Sequence, residues 1–520
     1  MTKFINAQDA VKLIKDNDMV GVSGSGGCGS PENLLTALRI RYEKEKHPQN
    51  IGVTCGISAS NLTEDYVGFN NLAVDGLVGK AICGHLGRGK LFGKAVSENK
   101  FAAYTIPLGV YGHLLRTIAQ KNPGVISHVG LNTYCDPRIE GCKANEKAKE
   151  DIVKLVNIDN KEYLFYKSFP INVALIKASY CDKEGNVSLY KEPIIGEQVE
   201  LASAVHSCGG IVICEVEEIV DYIVPKKVDI FKKIVDYVVV AKQRTDLEEY
   251  NFPIYRPELI GEEIVKPEEL PPIPLNERKI CGRRASLELS KDMIVNCGIG
   301  MPDTIGRIAA EEGFSDKIYI SIETGVFGGI PVYGQLFGSA INPISLYSTA
   351  NIFDLYDGGA LDVGVVGLAE VDKYGNVNVS KLNNRTTGAG GFINITQNCK
   401  KIIIMGTFTS GGLEVEVKDN KLTIIKEGKY NKFVENVGQI TLASKNVLNN
   451  KQDIIYITER AVFKLDPSGK LKLTEIAPGI DLQKDILDKM EFIPLIADNL
   501  EIMDSKIFNE GKMNIGKYFN

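Results

Sequence analysis

Short apolar runs recur along the chain, and glycine-rich or polar segments separate them. Representative runs lie within residues 210–216, 237–241 and 401–405. Apolar runs of this length, bounded by turn signals, are typical of strands buried on both faces of a parallel sheet. Helical patterns alternate with these runs. The chain therefore reads as an α/β protein with mainly parallel sheets flanked by helices.

Part of this pattern occurs twice. Residues 174–189 and 363–379 each read as a buried strand, a turn of sequence Asp-Lys-x-Gly-Asn and a second strand. Glycine loops at 24–31 and 298–302 each lie between an apolar stretch and a helical pattern. An internal repeat of this kind indicates a duplicated structural unit. We therefore predict two related open α/β domains.

Each glycine loop ends in residues that favour the start of a helix. Pro31 and Pro302 are expected in the first turn of a helix, where proline is favoured. Glu32 and Asp303 follow them, and acidic residues suit a helix N-terminus. Both halves of the chain are thus predicted to open with a strand, a glycine loop and a helix.

The length of the chain also favours two domains. At 520 residues it exceeds what one hydrophobic core usually supports. Residues 251–276 contain six prolines interleaved with glutamates, a composition that favours extended conformations. We predict an N-terminal domain at 1–250, a linker at 251–276 and a C-terminal domain at 277–520.

Charge and cysteine content narrow the class of protein. The net charge is −6 and no block is rich in Lys and Arg, which argues against nucleic-acid or anionic-membrane partners. The charged N-terminus argues against a signal peptide, and no apolar run approaches membrane-spanning length. Eleven cysteines without paired C-x-x-C spacing indicate reduced thiols in the cytoplasm. The five histidines show no ligand spacing, so no metal site is predicted.

The first glycine loop matches a known fingerprint formally. Gly24, Gly26 and Gly29 satisfy the G-x-G-x-x-G spacing of dinucleotide-binding proteins. The strand predicted at 51–55 lacks the acidic residue that would bind a ribose hydroxyl. A nicotinamide-dependent oxidoreductase is therefore a weak alternative, and a purely structural loop stays open. Cys28 and His85 are expected to be structural.

One carboxylate stands at the end of an apolar strand. Residues 317–322 lead into Glu323 and then into a glycine-rich bend. Ligand sites in open α/β sheets gather at the carboxyl ends of strands. Glu323 could be a nucleophile, a general base or a metal ligand, although a cap or an ion pair is favoured on these residues alone. The loop 298–302 and the cluster 387–392 would add free backbone amides, so together the three segments suggest an anion-holding cleft.

Several longer motifs carry a family resemblance. They occupy residues 98–100, 121–124, 136–138, 162–166, 209–212, 282–284, 296–302, 323–325, 353–359, 390–397, 406–412, 456–460 and 475–481. With them the chain resembles the single-chain class I coenzyme A transferases (CoA-transferases), in particular the bacterial propionate and acetate CoA-transferase group. The resemblance spans nearly the whole chain and implies the NagB/RpiA-like fold of that family.

The resemblance implies a role for Glu323. In the family the glutamate of this motif attacks an acyl-CoA, and a glutamyl-CoA thioester forms by way of an acyl-glutamyl anhydride. A Glu of ordinary pKa, about 4.3, would be ionised at neutral pH. The residues expected to supply the oxyanion hole or to bind CoA are Gly298, Ile299, Gly300, Met301, Pro302, Gly390 and Gly391. CoA would be a substrate and not a bound cofactor, and relatives commonly form dimers or tetramers.

The resemblance also implies an acyl pocket in the first half, for which Gly26, Gly27 and Leu108 are candidates. Leu108 replaces a glutamine of many relatives, so we expect a preference for an apolar acid such as butyrate over hydroxy or keto acids. Thr324 replaces a serine, which should leave the chemistry intact. Arg283, Arg284 or Lys400 could contact CoA phosphates, although a solvated surface role is favoured for each. A non-catalytic acyl-CoA sensor is a second alternative.

Overall fold

The computed structural model describes residues 2–240, 255–383 and 385–519. Its first large sheet has eight strands, all parallel to their neighbours. In spatial order they are Lys3–Ile5, Tyr237–Val240, Ile211–Val216, Val173–Lys177, Met19–Val22, Ile51–Ile57, Val78–His85 and Ala102–Thr105. These strands carry the apolar runs of the first half, and most of their residues are buried. Ala241, the last residue of the run at 237–241, lies outside the described residues.

The second large sheet has ten strands. In spatial order they are Ser345–Leu346, Val326–Phe327, Tyr319–Ile322, Ile294–Cys297, Val363–Gly367, Lys401–Met405, Asp453–Ile457, Ala461–Leu465, Leu471–Ile476 and Leu495–Ile502. The five strands from Tyr319–Ile322 to Asp453–Ile457 are parallel. Antiparallel strands flank them on both sides. A parallel centre is what buried, unbroken apolar strands favour.

The two sheets share one topology. In each, five parallel strands follow the same spatial order, which in sequence terms is fifth, fourth, third, first and second. The strand before the glycine loop occupies the same place in both halves: it is Met19–Val22 in the first and Ile294–Cys297 in the second. The prediction of two related, mainly parallel α/β domains is confirmed. Their boundaries stay a prediction.

The repeated turn folds in the same way twice. Asp182 accepts hydrogen bonds from the backbone of Glu184 (3.0 Å) and from the backbone and side chain of Asn186 (2.9 and 2.8 Å). Asp372 and Asn376 form the same network in the second half, at 2.9 to 3.0 Å. A short side chain that bonds its own following backbone stabilises a tight turn. The Asp-Lys-x-Gly-Asn motif is therefore a turn signal.

Helices cover both sheets. The α-helices are Ala7–Val11, Glu32–Glu45, Lys90–Ser97, Leu108–Ala119, Gln198–Ser207, Glu277–Ser286, Thr304–Glu312, Thr349–Asp357, Phe392–Asn398 and Ser444–Asn450. The first glycine loop leads into its helix directly after Pro31, as expected. The second helix begins two residues beyond Pro302, because the Asp303 carboxylate turns back to accept from the Gly300 N–H (3.2 Å) and closes the intervening turn.

Smaller strands complete the two halves. They are Gly124–Ser127, Val153–Ile158, Lys161–Lys167, Tyr180–Asp182, Val187–Ser188, Glu218–Val220, Ile330–Pro331, Ala340–Ile341, Glu370–Asp372, Val377–Asn378, Lys381–Leu382, Arg385–Thr386, Thr409–Ser410, Glu414–Lys418, Lys421–Lys426, Tyr430–Asn431 and Phe433–Val434. Over the described residues, no helix combines the length and apolarity needed to cross a bilayer.

The predicted linker is only partly extended. Its first four residues, 251–254, lie outside the described residues. The rest contains single 3₁₀ turns at Pro257–Leu259 and Pro267–Glu269. Leu259 is buried beside Cys28 and Leu336, one from each half of the chain. Leu259 therefore contacts both halves, whereas the other described residues of the segment are exposed or half-buried.

Candidate active site

Glu323 occupies the tip of a tight hairpin. Strand Tyr319–Ile322 enters it, and Val326–Phe327 leaves it antiparallel to the first strand. Gly325 has a φ of +108°, and a Cβ atom there would lie 1.9 Å from the backbone oxygen of Tyr347. Only glycine suits this backbone conformation and this close approach. The bend predicted after the strand thus holds the Glu323 side chain at the sheet edge.

Glu323 is half-buried, and its carboxylate has one direct donor. Its Oε2 accepts a hydrogen bond of 2.7 Å from the N–H of Gly391, at the start of helix Phe392–Asn398. Among the described residues, no cationic side chain lies within 4.0 Å of it. Burial raises the pKa of Glu323 to about 7, and the Gly391 amide opposes that rise. The expectation of an ordinary pKa near 4.3 is therefore wrong.

Gly391 has to be glycine for this contact. A Cβ atom on residue 391 would lie 2.2 Å from Oε2 of Glu323. Gly390, which has a φ of +56°, brings the backbone past the same carboxylate. The glycine cluster at 387–392 therefore lets one backbone amide approach the carboxylate closely.

The carboxylate faces a small cavity of about 150 Å³ between the two halves. The first half contributes Ser25, Gly26, Ile57, His85 and Arg88, and the second contributes Gly298, Ile299, Glu323, Phe337, Val366, Gly367, Val379, Gly388, Ala389, Gly390, Phe392 and Ile395. Most of these residues are apolar or glycine. We call this the inner cavity. It is lined by one carboxylate and by mostly apolar residues.

A larger cavity of about 570 Å³, the outer cavity, adjoins it. His85, Arg88 and Ile299 line both cavities. The outer cavity also has two further guanidinium groups, those of Arg278 and Arg307. A ligand with an anionic body and a slender reactive arm could occupy the outer cavity and extend its arm toward Glu323.

Comparison with known proteins finds a matching family model and two similar enzymes. The coenzyme A transferase family model matches residues 4–241. Caffeate CoA-transferase of Acetobacterium woodii is 43% identical over 518 residues, which cover 98% of each chain. Acetate CoA-transferase YdiF of Escherichia coli K12 is 41% identical over 512 residues, which cover 98% of this chain and 96% of that protein.

The chain belongs to the coenzyme A transferase family.

A solved structure agrees with this assignment. The acyl-CoA transferase YdiF of E. coli O157:H7, in a thioester complex with CoA, superposes with a TM-score of 0.92 at 40% identity. The match covers 99% of this chain and 97% of that chain. Family membership favours CoA chemistry over the nicotinamide alternative that the first glycine loop suggested.

Within this CoA-transferase, several backbone amides predicted to be free are already engaged. The Gly298 N–H donates to Val365 O (2.9 Å), the Gly300 N–H to Asp303 (3.2 Å) and the Gly390 N–H to Gly84 O (3.1 Å). The fold uses these three amides to close turns and join the halves, and their role in the oxyanion hole or in CoA binding stays a prediction.

Other amides fit that role better. Ile299 and Ala389 line the inner cavity, and their N–H groups have no protein acceptor among the described residues. Ile299 is among the predicted residues, whereas Ala389 is not. Met301 and Pro302 form the turn before helix Thr304–Glu312 and line neither cavity.

Of the three predicted acyl-pocket residues, one lines the inner cavity and two do not. Gly26 lines the inner cavity, whereas the Gly27 N–H donates to Gln335 O (2.9 Å) and joins the halves. Leu108 is buried behind the wall and its N–H donates to Gly390 O (2.9 Å). Leu108 is not among the residues that line the inner cavity, so its side chain does not form part of that wall.

The arginines proposed to contact CoA phosphates are buried elsewhere. Arg283 is fully buried and donates to Glu312 (3.2 Å), and Arg284 pairs with Glu475 (2.5 Å). Neither lines the inner or the outer cavity, and their burial excludes the solvated surface role. Lys400 is an exposed residue that pairs with Asp362 (2.7 Å).

Arg88 belongs to no motif that the sequence shows, and His85, which was expected to be structural, lines both cavities. Burial and the nearby charges of Arg88 and Arg385 lower the pKa of His85 to about 4, so its ring is neutral. The Gly87 N–H donates to His85 Nδ1 (3.2 Å), which leaves the ring proton on Nε2. Cys28 is buried as expected, and burial raises the pKa of its thiol to about 12.

Proposed function

We propose that this enzyme transfers CoA between short-chain acyl-CoAs and free carboxylates through a covalent thioester on Glu323. The observation that carries the proposal is a half-buried carboxylate, hydrogen-bonded to one amide, on the wall of a small cavity that adjoins a larger one lined by arginines. The solved structure of the E. coli relative, a thioester complex with CoA, supports it.

The proposed reaction has two mirrored halves. The Glu323 carboxylate attacks the thioester carbonyl, the C–S bond breaks, and an acyl-glutamyl anhydride and CoA thiolate form. The thiolate then attacks the glutamyl carbonyl and releases the first carboxylate, which leaves glutamyl-CoA. An acceptor carboxylate reverses these steps and leaves as its own CoA thioester. No ATP is consumed, and the kinetics are ping-pong.

The surroundings of Glu323 suit this chemistry. A carboxylate is a weak nucleophile in water, and burial strips the water that would stabilise it. The N–H groups of Ile299 and Ala389 are our candidates to stabilise the oxyanion that forms on the attacked carbonyl. Gly391 holds the carboxylate in place through its N–H.

We place the nucleotide end of CoA in the outer cavity. Arg278 and Arg307 line it, and guanidinium groups bind phosphate well. Arg278 also donates to Asp303 (2.6 Å) and to Gly300 O (2.7 Å), so it is held in position. Binding energy from this remote part of CoA would lower the barrier at Glu323.

The acyl group would lie in the inner cavity. A volume of about 150 Å³ suits a small acid, and Ile57, Val366 and Phe392 make its wall apolar. We therefore propose acetate, propionate or butyrate as substrates and expect butyrate to be favoured over lactate or acetoacetate. Comparison of kcat/KM for these acceptors tests this, and a preference for lactate would contradict it.

Isotope exchange tests the transfer itself. The enzyme is incubated with acetyl-CoA and labelled acetate, with no second acceptor, and label in acetyl-CoA is measured. Ping-pong transfer predicts exchange by the wild type and none by Glu323→Gln. An enzyme that binds acetyl-CoA but never exchanges label would be the sensor instead, and a change in NAD(P)H absorbance on substrate addition would favour the oxidoreductase.

We also propose that the enzyme is a cytoplasmic homo-oligomer, a dimer or tetramer, as its family resemblance implies. Light scattering during size-exclusion chromatography measures the assembly mass, and a monomer of 57.0 kDa would contradict the proposal.

A further inference from the structure

We propose that Arg88 is the acceptor-binding residue of this enzyme: its guanidinium holds the free carboxylate once Glu323 has become a thioester. The inference rests on the proposed function and assigns to it a residue that no motif indicated. Three features carry it, namely the burial of Arg88, its lack of a carboxylate partner and its place between the two cavities.

Arg88 is buried without a counter-charge. It is 4% exposed, and no carboxylate of the described residues lies within 4.0 Å of it. Its Nη2 donates to Gly334 O (3.0 Å) and Gln335 Oε1 (3.2 Å), both neutral acceptors, while its Nε has no partner among the described residues. A buried charge without an opposite charge is costly, so a fold that keeps one leaves a place for an anion.

The other buried arginines show that this arrangement is unusual for the chain. Arg283 pairs with Glu312 (3.2 Å), Arg284 with Glu475 (2.5 Å) and Arg460 with Glu459 (2.6 Å). Each of these guanidinium groups meets a carboxylate within the protein, and none lines a cavity described above. A purely structural Arg88 would be expected to have the same kind of partner.

The position of Arg88 identifies the anion. It lines both the outer and the inner cavity, so it lies where the two cavities meet. It is the one cation on the inner-cavity wall as the described residues form it, since His85 is neutral there. Arg278 and Arg307 in the outer cavity can bind the phosphates of CoA. The anion that remains for Arg88 to bind is therefore a small carboxylate in the inner cavity.

The charge of the inner cavity would change during the reaction. In the free enzyme an ionised Glu323 balances Arg88, although the two groups do not form an ion pair. Thioester formation removes the negative charge of Glu323 and leaves the cavity with a net charge of one positive unit. The acceptor carboxylate should then bind to the thioester form and not to the free enzyme.

Substitution of Arg88 tests the contact. We expect Arg88→Met to raise KM for acetate at least about tenfold, because a charged hydrogen bond is lost, while KM for butyryl-CoA changes less than about twofold. Arg88→Lys should recover part of the affinity for acetate. Arg385→Met is the matched control, since that exposed arginine lies nearby, donates to Gly87 O and is itself not among the residues that line either cavity.

Two outcomes would overturn the inference. An unchanged KM for acetate means that Arg88 binds no acceptor, and an equal rise in both KM values means that it contacts CoA. In either case the transfer through Glu323 still stands. A wild type without CoA exchange would instead end the proposed function.

Inhibition of the wild type tests the charge change without any substitution. Methanesulfonate has the charge and size of a small carboxylate but cannot accept CoA. Binding to the thioester form predicts inhibition that is competitive with acetate and uncompetitive with butyryl-CoA. Competition with butyryl-CoA would place the anion in the free enzyme and contradict the inference.

Discussion

In both halves a glutamate meets a glycine where a strand end faces a helix start, but the two halves exchange which element carries the glutamate. In the second half, strand Tyr319–Ile322 ends in Glu323, and the helix start opposite it is Gly391. In the first half the glycine is on the strand, at Gly56, and the carboxylate is Glu197, at the start of helix Gln198–Ser207. A Cβ atom at Gly56 would lie 2.2 Å from Glu197 Oε1.

Burial alone does not separate the two carboxyl groups. It raises the pKa of Glu197 to about 7 and that of Glu323 to about 7. Glu323 lines the inner cavity, whereas Glu197 lines neither cavity described here, and Thr349 of the other half partly opposes the rise in its pKa. A perturbed pKa therefore marks a buried acid, and access to the cavity decides which acid can react.

The largest effect should come from exchanging each carboxyl for an amide. Glu323→Gln removes the proposed nucleophile, so we expect CoA transfer to fall at least about 1,000-fold. Glu197→Gln makes the same change of carboxyl to amide at a residue that lines neither cavity, and it should keep transfer within about threefold of the wild type. Rates of acetyl-CoA and butyrate exchange measure both. Equal losses of transfer rate in the two variants would contradict the assignment of Glu323, and not Glu197, as the nucleophile.

The facing glycines form a second matched pair. Gly391→Ala would push a methyl group into Glu323, so we expect kcat to fall about 100-fold, as when one catalytic hydrogen bond is lost. Gly56→Ala meets Glu197 at the same 2.2 Å and should lower the melting temperature without a comparable loss of kcat. If Gly56→Ala lost kcat as severely, the first-half junction would also belong to the active site.

The pH profile should follow Glu323. The carboxylate is the attacking form, so kcat/KM for the acyl-CoA should rise about tenfold per pH unit below pH 7 and level off above it. Protonation on the acid side removes the nucleophile. Glu197→Gln should keep the same midpoint, although Glu197 has a similar pKa. A midpoint near 4.5, or one that vanishes in Glu197→Gln, would contradict this assignment.

The smallest effect concerns the residue after the nucleophile. Thr324 is buried, and its hydroxyl donates to Gly338 O. Thr324→Ser keeps this bond, so transfer should change less than about threefold. Thr324→Val removes the donor and should cost about 1 kcal/mol in the free energy of unfolding, measured by urea denaturation. A larger loss for Ser than for Val would mean that the methyl group, not the hydroxyl, matters here.

Features encoded by neighbouring residues could be predicted from the sequence. The strands, the repeated Asp-Lys-x-Gly-Asn turns and the hairpin around Glu323 each depend on a few consecutive positions. Glu323 itself was identified because one carboxylate ends an apolar strand and matches a family motif. Gly391 was among the predicted residues because it lies in a glycine cluster that also matches a family motif.

Features that depend on distant contacts could not be predicted. Arg88 meets Gly334 and Gln335 only because the two halves pack together. The burial of Arg283 depends on the C-terminal segment, whose Asn509 carbonyl accepts from it (2.6 Å). The raised pKa of Glu323 likewise reflects the completed cavity and not its local sequence.

Covalent trapping tests the central claim most directly. The enzyme is incubated with acetyl-CoA, treated with borohydride, digested and mapped by mass spectrometry, with Glu323→Gln as the control. A glutamyl thioester predicts reduction of the Glu323 carboxyl to an alcohol in the wild type alone. An unmodified Glu323 in an enzyme that still exchanges CoA would contradict the account.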